Sequence, residues 1–422
     1  MQKQIHETQS TTGLNIADLP EEILFFLRWA CSSVNTLKWA KANGCPWVPE
    51  VCAMAAQLGH LEVLQWAIQK RCPWNEETCS NAALNGHLEV LQWARGNQCR
   101  WDERTSTNAA TKGHLKVLKW ARANGCRWNE VTCIQAALNG HLEVLQWLKD
   151  AGCPCGEYTC SMAAKHGLLD ILQWASENGI GWNEKTCAYA ATKGHLEVLQ
   201  WLRMNGCPWD ELTCAFAARG GQLEVLQWAR ANGCPWNDQT CLFAATKGHL
   251  KVLQWARANG CPWNSRICTL AAKNGHLEVL KWARANRCRW DSDTAANAAL
   301  NGHLKVLQWL RRNRCPWDGR IWTFAAKNGH VEVLQWAKDT HIIFSYYQLC
   351  DIAARNGQLA VLQWARAKDC PWSHKTLELA KLHKHWEVVQ WLEENGCPDK
   401  KPARGSKNRK KEKKRINKNN NM

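Results

Sequence analysis

Glycine recurs in this chain at a fixed interval of 27 residues, at Gly59, Gly86, Gly113, Gly140, Gly167, Gly194, Gly221, Gly248, Gly275, Gly302 and Gly329. So short a unit cannot bury its own apolar face and must stack on copies of itself. The phase slips once: Gly357 follows after 28 residues, through an insertion near Ser345 to Gln348, and Lys384 takes the next glycine place after 27. Thirteen registers are visible, and Ser32 to Trp47 supplies an earlier, degenerate one.

Counted from the glycine, the consensus reads G-H-L-E-V-L-Q-W-A-R-A-N-G-C-P-W-N-E-x-T-C-x-x-A-A-x-x. Leu, Val, Leu, Trp and Ala at positions 3, 5, 6, 8 and 9, as in Leu196 to Asn205, form an apolar stripe at helical spacing. Glu in the first turn and Arg or Lys near the end, as at Glu197 and Arg203, suit the helix dipole, and the glycine at position 13 stops the helix. A second, shorter helix is predicted after Asn or Asp at position 17 (Asn75, Asp102, Asn129, Asn183, Asp210, Asn237), whose side chain can cap free amides. Each unit is thus a pair of antiparallel helices. The fold class is all-α, a solenoid of about 14 such pairs, the number of registers counted above.

Composition agrees with a folded, repetitive chain: 28 Trp and 23 Cys stand against 5 Met, 4 Tyr and 6 Phe, with 45% hydrophobic residues. No stretch approaches the ~18 to 20 unbroken apolar residues of a membrane span, so no membrane partner is expected. Met1 to Asn15 is polar and lacks an apolar signal core, which predicts a reducing, intracellular compartment and no disulfide framework. A leucine-rich repeat competes on period and on the Leu196, Leu199, Trp201 pattern, but that segment is filled with Glu, Gln, Ala and Arg, which favour helix.

The run Ala-Ala-x-x-Gly-His-Leu-Glu-Val-Leu, as in Ala82 to Leu91 and Ala190 to Leu199, resembles the middle of an ankyrin repeat, and the resemblance covers roughly Ser32 to Cys397. The ankyrin period is ~33 with a first helix opening Thr-Pro-Leu-His; here that place reads Lys185, Thr186, Cys187, Ala188, and the residues of the projecting β-turn are missing. The family's Gly-Ala-Asp-Val-Asn segment appears as Gly233, Cys234, Pro235, Trp236, Asn237. Tryptophan-rich short arrays of this kind resemble those encoded by large DNA viruses of amoebae and other protists. The resemblance implies a protein-binding scaffold with shortened β-turns, engaging its partner by the second helices, which line the concave side in ankyrin arrays.

Tryptophan stands at position 8 in fourteen registers and at position 16 in eleven, and is read as a core ladder between units rather than a set of ligand cages. Cysteines at positions 14 and 21 (Cys207 with Cys214, Cys234 with Cys241) are seven residues apart, unlike the two to four of paired zinc ligands. They are read as small buried filler, and His195 and His249 at position 2 as bonded to backbone where the helix starts. No phosphate loop, nucleophile elbow or singular acid pair stands outside the register, so no catalytic residue, metal or cofactor is expected.

Function is then sought where the repeats differ, at positions 19, 22, 23 and 26, one face of the second helix. The candidate partner-binding residues are Tyr158, Lys185, Tyr189, Leu212, Phe216, Gln239, Phe243, Arg266 and Phe324. Tyr189, Phe216 and Phe243 form an aromatic strip in successive units, unless position 23 is itself packed between helices.

The ends carry separate expectations. Residues 1–17 are read as a disordered N-terminus, 18–31 as a capping helix or F-box remnant, 32–398 as the array and 399–422 as a basic disordered tail. Leu19-Pro20-Glu21-Glu22-Ile23-Leu24 resembles the opening of an F-box, which implies a substrate adaptor docking a ubiquitin-ligase linker protein. The tail holds 11 Lys/Arg and 2 acidic residues, +9 of the total +17. Within it Lys400, Lys401, Arg409, Lys410, Lys411, Lys413, Lys414 and Arg415 resemble a two-cluster nuclear import signal, and such clusters also touch nucleic acid non-specifically. The composite expectation is a monomeric, non-enzymatic scaffold in the cytoplasm or nucleus, of a host cell if the array is viral.

Overall fold

In the computed structural model, residues 20–341 and 348–399 are described. They form 28 helices and, among the described residues, no strand. The chain divides into two compact units, Met1–Pro235 and Trp236–Met422. The first holds the 16 helices from Glu21–Ala30 to Leu223–Ala231, the second the 12 from Asp238–Lys247 to Trp386–Glu394.

Each repeat folds as its pattern dictates. The first helix covers positions 3 to 11, as in Leu196–Met204 and Leu250–Ala258, and buries Val at 5, the Leu at 6 and the Ala or Leu at 9. The second begins at position 18, as in Glu211–Gly220, behind a side-chain cap: Asp210 Oδ1 accepts from Leu212 N at 2.9 Å, and Asn75 Oδ1 from Glu77 N at 3.1 Å. Within each unit the second helices of neighbouring repeats pack closely through Ala at positions 24 and 25, which are fully buried, whereas the first helices stand further apart.

Glycine does different work at its two places. At position 1 it takes a left-handed φ, +77° at Gly86, and a Cβ there would lie 2.7 Å from the imidazole of His114 in the next repeat. At position 13 the φ is also positive, but nothing lies near Gly125, Gly206 or Gly260, and Arg71, Gln98, Arg287 and Arg314 adopt the same conformation elsewhere. Lys384 replaces glycine at position 1 (φ 59°) only in the last register, where the sequence supplies no following imidazole.

The helix Glu21–Ala30 follows Pro20, buries Leu27 and Ala30, and packs against Val34–Ala42 and Pro49–Gln57. It stands to the first register as each second helix stands to the next repeat: His60 bonds the carbonyl of Cys31 at its end, at 2.8 Å. Leu19, residues 1–17, most of the insertion near Ser345 and the lysine and arginine clusters from Lys400 onward lie outside the described residues.

Candidate protein-binding surface

The second helix projects position 19 outward and keeps position 23 at the rim of the packing. Lys185, Gln239 and Arg266 are exposed, Tyr158 is 53% exposed and Leu212 is half-buried. Tyr189, Phe216, Phe243 and Phe324 are all half-buried. In the first unit Tyr189 and Phe216 meet with ring centroids 6.2 Å apart, and the Arg219 guanidinium lies 5.9 Å over Phe216. The four rings are thus partly covered and partly accessible, whereas Met54 and Asn81 at the same position are buried.

Position 22 does not belong to this face. Ala53, Ser80, Ser161, Ala188, Ala215, Leu242 and Ala296 are buried, while Thr107, Ile134, Thr269 and Thr323 are half-buried. A four-position face read from helical spacing is therefore narrower, built on positions 19, 23 and 26. Along position 19, neighbouring repeats also pair by charge. Arg320 donates to Asp293 of the preceding repeat at 2.6 Å and to Asp318 at 2.8 Å. The Arg320 guanidinium holds the Asp318 carboxyl below the usual carboxylate range.

A second aromatic system lies on the first helices and was not resolved by sequence reading. The tryptophans at position 8 are half-buried, not core, apart from Trp174 (8% exposed) and the exposed Trp39. Nor do they stack on one another. Each position-16 indole meets the position-8 indole of the next repeat close to edge-on, as Trp182 with Trp201 (5.7 Å, 85°) and Trp209 with Trp228 (5.9 Å, 65°). The arginine at position 10 covers the position-16 ring, with Arg203 Cζ 4.2 Å from Trp209. The spacing of Arg 10, Trp 16 and the next Trp 8 held the signal, but a helical stripe does not say which partner an indole takes. Gln200, Arg203, Met204, Trp209, Trp228 and Asn232 line a groove of ≈ 420 Å³ here, with Met204 78% exposed.

The sulfur atoms and imidazoles join repeats. Apart from one bonded pair, every cysteine is a buried free thiol. At position 14 the thiol donates to the carbonyl of the preceding repeat's cap residue, Cys234 to Asp210 and Cys99 to Asn75, both at 3.4 Å. Cys187 and Cys207, at positions 21 and 14 of successive repeats, lie 3.3 Å apart. Among the described residues no three His, Cys, Asp or Glu side chains converge as a metal site. The position-2 histidines bond backbone, but not of their own helix: His195 Nε2 donates to Lys165 O at 3.2 Å, thirty residues back. One disulfide, Cys133–Cys155, runs against the expectation of none. Cys155 stands at position 16, outside the thiol register, which is why the spacing of positions 14 and 21 did not reveal it.

The family described as ankyrin repeats (many copies) matches residues 107–148 and 241–284, one segment in each unit. Those two segments of the chain are thus similar to ankyrin repeats. No curated protein matches it. Of solved structures, the human ASB11 ankyrin repeat domain is 17% identical with a TM-score of 0.32, covering 37% of this chain and 84% of that one. The pentatricopeptide repeat protein PPR10 in complex with an 18-nt psaJ RNA element is 15% identical with a TM-score of 0.38, covering 90% of this chain and 66% of that one. Likenesses of that size carry no argument about fold or partner. Among the described residues no helix is long and apolar enough to cross a membrane.

Proposed function

We propose that this protein is a non-enzymatic scaffold that binds another protein through the second-helix face of its ankyrin repeats. The observation that carries the reading is the contrast between positions. Positions 6, 24 and 25 are almost invariant and buried, whereas positions 19 and 23 change from repeat to repeat and, from Arg104 onward, stay exposed or half-buried, with aromatic edges at Tyr158, Tyr189 and Phe216. Closer packing among second helices than among first helices supports reading that face as the inner one of each unit. The connections between helices are short among the described residues, which favours contacts made by the face itself. Gln239, Phe243, Arg266 and Phe324 supply the corresponding positions in the second unit.

The adaptor reading, in which Glu21–Ala30 docks a ubiquitin-ligase linker protein, draws on Phe25, an aromatic side chain left 75% exposed on that helix. The basic clusters from Lys400 to Arg415 fit nuclear import or non-specific contact with nucleic acid, with the scaffold a monomer in the cytoplasm or nucleus. Co-purification of the full chain from cells, with identification of what it retains, separates the readings. A partner without a ligase linker supports the scaffold, a partner with one supports the adaptor, and retention of no protein contradicts both.

A further inference from the structure

The repeat beginning at Gly140 lacks three contacts that other repeats of the first unit make. Position 16 is Cys155, so no indole meets Trp174 edge-on as Trp182 meets Trp201. Position 17 is Gly156, so the helix Glu157–His166 has no side-chain cap. Glycine also has no amide to reach back to the acidic residue of the preceding repeat, as Asn183 reaches Glu157. The space is taken by Glu130, whose Oε1 lies 2.5 Å from where a Cβ on Gly156 would sit. One covalent bond, which other repeats lack, ties this repeat to the preceding one. It runs from Cys133, in the helix Glu130–Leu138 of the preceding repeat, to Cys155, with Cα atoms 5.6 Å apart. The free cysteines of the chain are all buried, whereas Cys155 is half-buried.

We propose that Cys133–Cys155 is a site of reversible thiol–disulfide exchange with small thiols of the glutathione class, and that its redox state sets how firmly the helix Glu157–His166 is held to the preceding repeat. A thiolate attacks the accessible sulfur of Cys155, forming a mixed disulfide there and expelling Cys133 as a thiolate that takes up a proton. A second thiolate attacks the mixed disulfide, releasing Cys155 and one low-molecular-weight disulfide. Two small thiols are oxidised and one protein disulfide is reduced; the reverse reaction consumes the small disulfide. Cys153 does not compete as the internal nucleophile, because burial pushes its pKa up to about 12 and keeps it protonated near neutral pH. Once released, Cys133 faces Cys153 in the register that sets Cys187 against Cys207. Reduction therefore leaves the helix Glu157–His166 with neither a covalent tie to the preceding repeat nor a side-chain cap. Tyr158, one residue into the helix, shares its order, but the proposal concerns the helix and holds whether or not Tyr158 touches a partner.

The test equilibrates the full chain in glutathione buffers of graded ratio, maps the disulfides after acid quench and alkylation, and follows amide exchange in parallel. The expected result is one disulfide, Cys133–Cys155, that forms and breaks reversibly. The amides of Glu157–His166 should then exchange at least roughly tenfold faster in the reduced chain, while those of the capped helix Glu211–Gly220 do not change. In Cys133→Ser the helix should exchange fast at every ratio. Absence of the Cys133–Cys155 bond across the whole range, or equal exchange of the helix with and without it, overturns the proposal.

Discussion

At the scale of single residues, repetition exposes which side chains are fixed by geometry. Gly86 and Gly125 have similar left-handed φ values, but only Gly86 lies under an imidazole from the next repeat. Gly125→Ala should cost about 1 kcal/mol, the backbone penalty alone, and Gly86→Ala about 2 to 4 kcal/mol because the His114 ring must also move; urea denaturation of the two variants checks the order. The recurrence of glycine was legible in the sequence, but its cause was not, because the ring comes from 28 residues ahead in the chain and bonds a carbonyl thirty residues behind it. Burial lowers the pKa of His114 against the opposing pull of its bond to the Leu84 carbonyl, and His87, His141 and Lys112 lower it further. A lowered folded-state value means that the unfolded chain binds the proton first. The contribution of His114 is then complete above its ordinary value of 6.5 and is lost as pH falls through the folded value. His114→Gln keeps a donor, as Gln358 does to Lys327 at 3.1 Å, and should flatten part of the stability loss measured between about pH 7 and 5. An unchanged pH profile would remove His114 from this role.

Among the helices, boundaries and caps were readable because they depend on neighbours in sequence: Asp210 caps Glu211–Gly220 as its position predicts. The sidedness of the aromatic residues was not readable in the same way. Trp201 lies on an apolar stripe, yet it is half-buried against Trp182 rather than enclosed, and position 22 is buried or half-buried although it shares spacing with an exposed position 19. Both depend on how far apart successive helices stand, which no single helix encodes. Trp201→Ala should therefore cost about 2 to 3 kcal/mol, below the value for a fully buried indole, since it deletes one edge-on contact and part of a buried surface. A loss near 5 kcal/mol in equilibrium denaturation would show that the indole is core after all.

For the whole molecule, the helical repeat was legible because it is written many times over, and the proposed binding face only in outline. Which residues vary can be read directly; what they recognise depends on a second molecule whose shape this chain does not contain. The division of labour is nonetheless specific. Trp at positions 8 and 16 joins successive repeats, with Arg at position 10 over the position-16 ring, and under the proposed function the aromatic edges on the second helices contact a partner. The most direct test compares partner capture and helical signal in the Tyr189→Ser, Phe216→Ser double variant with those of Trp201→Ala, each in the full chain. The account predicts that the double variant stays folded and loses about 2 to 4 kcal/mol of binding, while Trp201→Ala loses stability and retains binding at temperatures where it is folded. A double variant that captures the partner undiminished, or that unfolds as readily as Trp201→Ala, would contradict it.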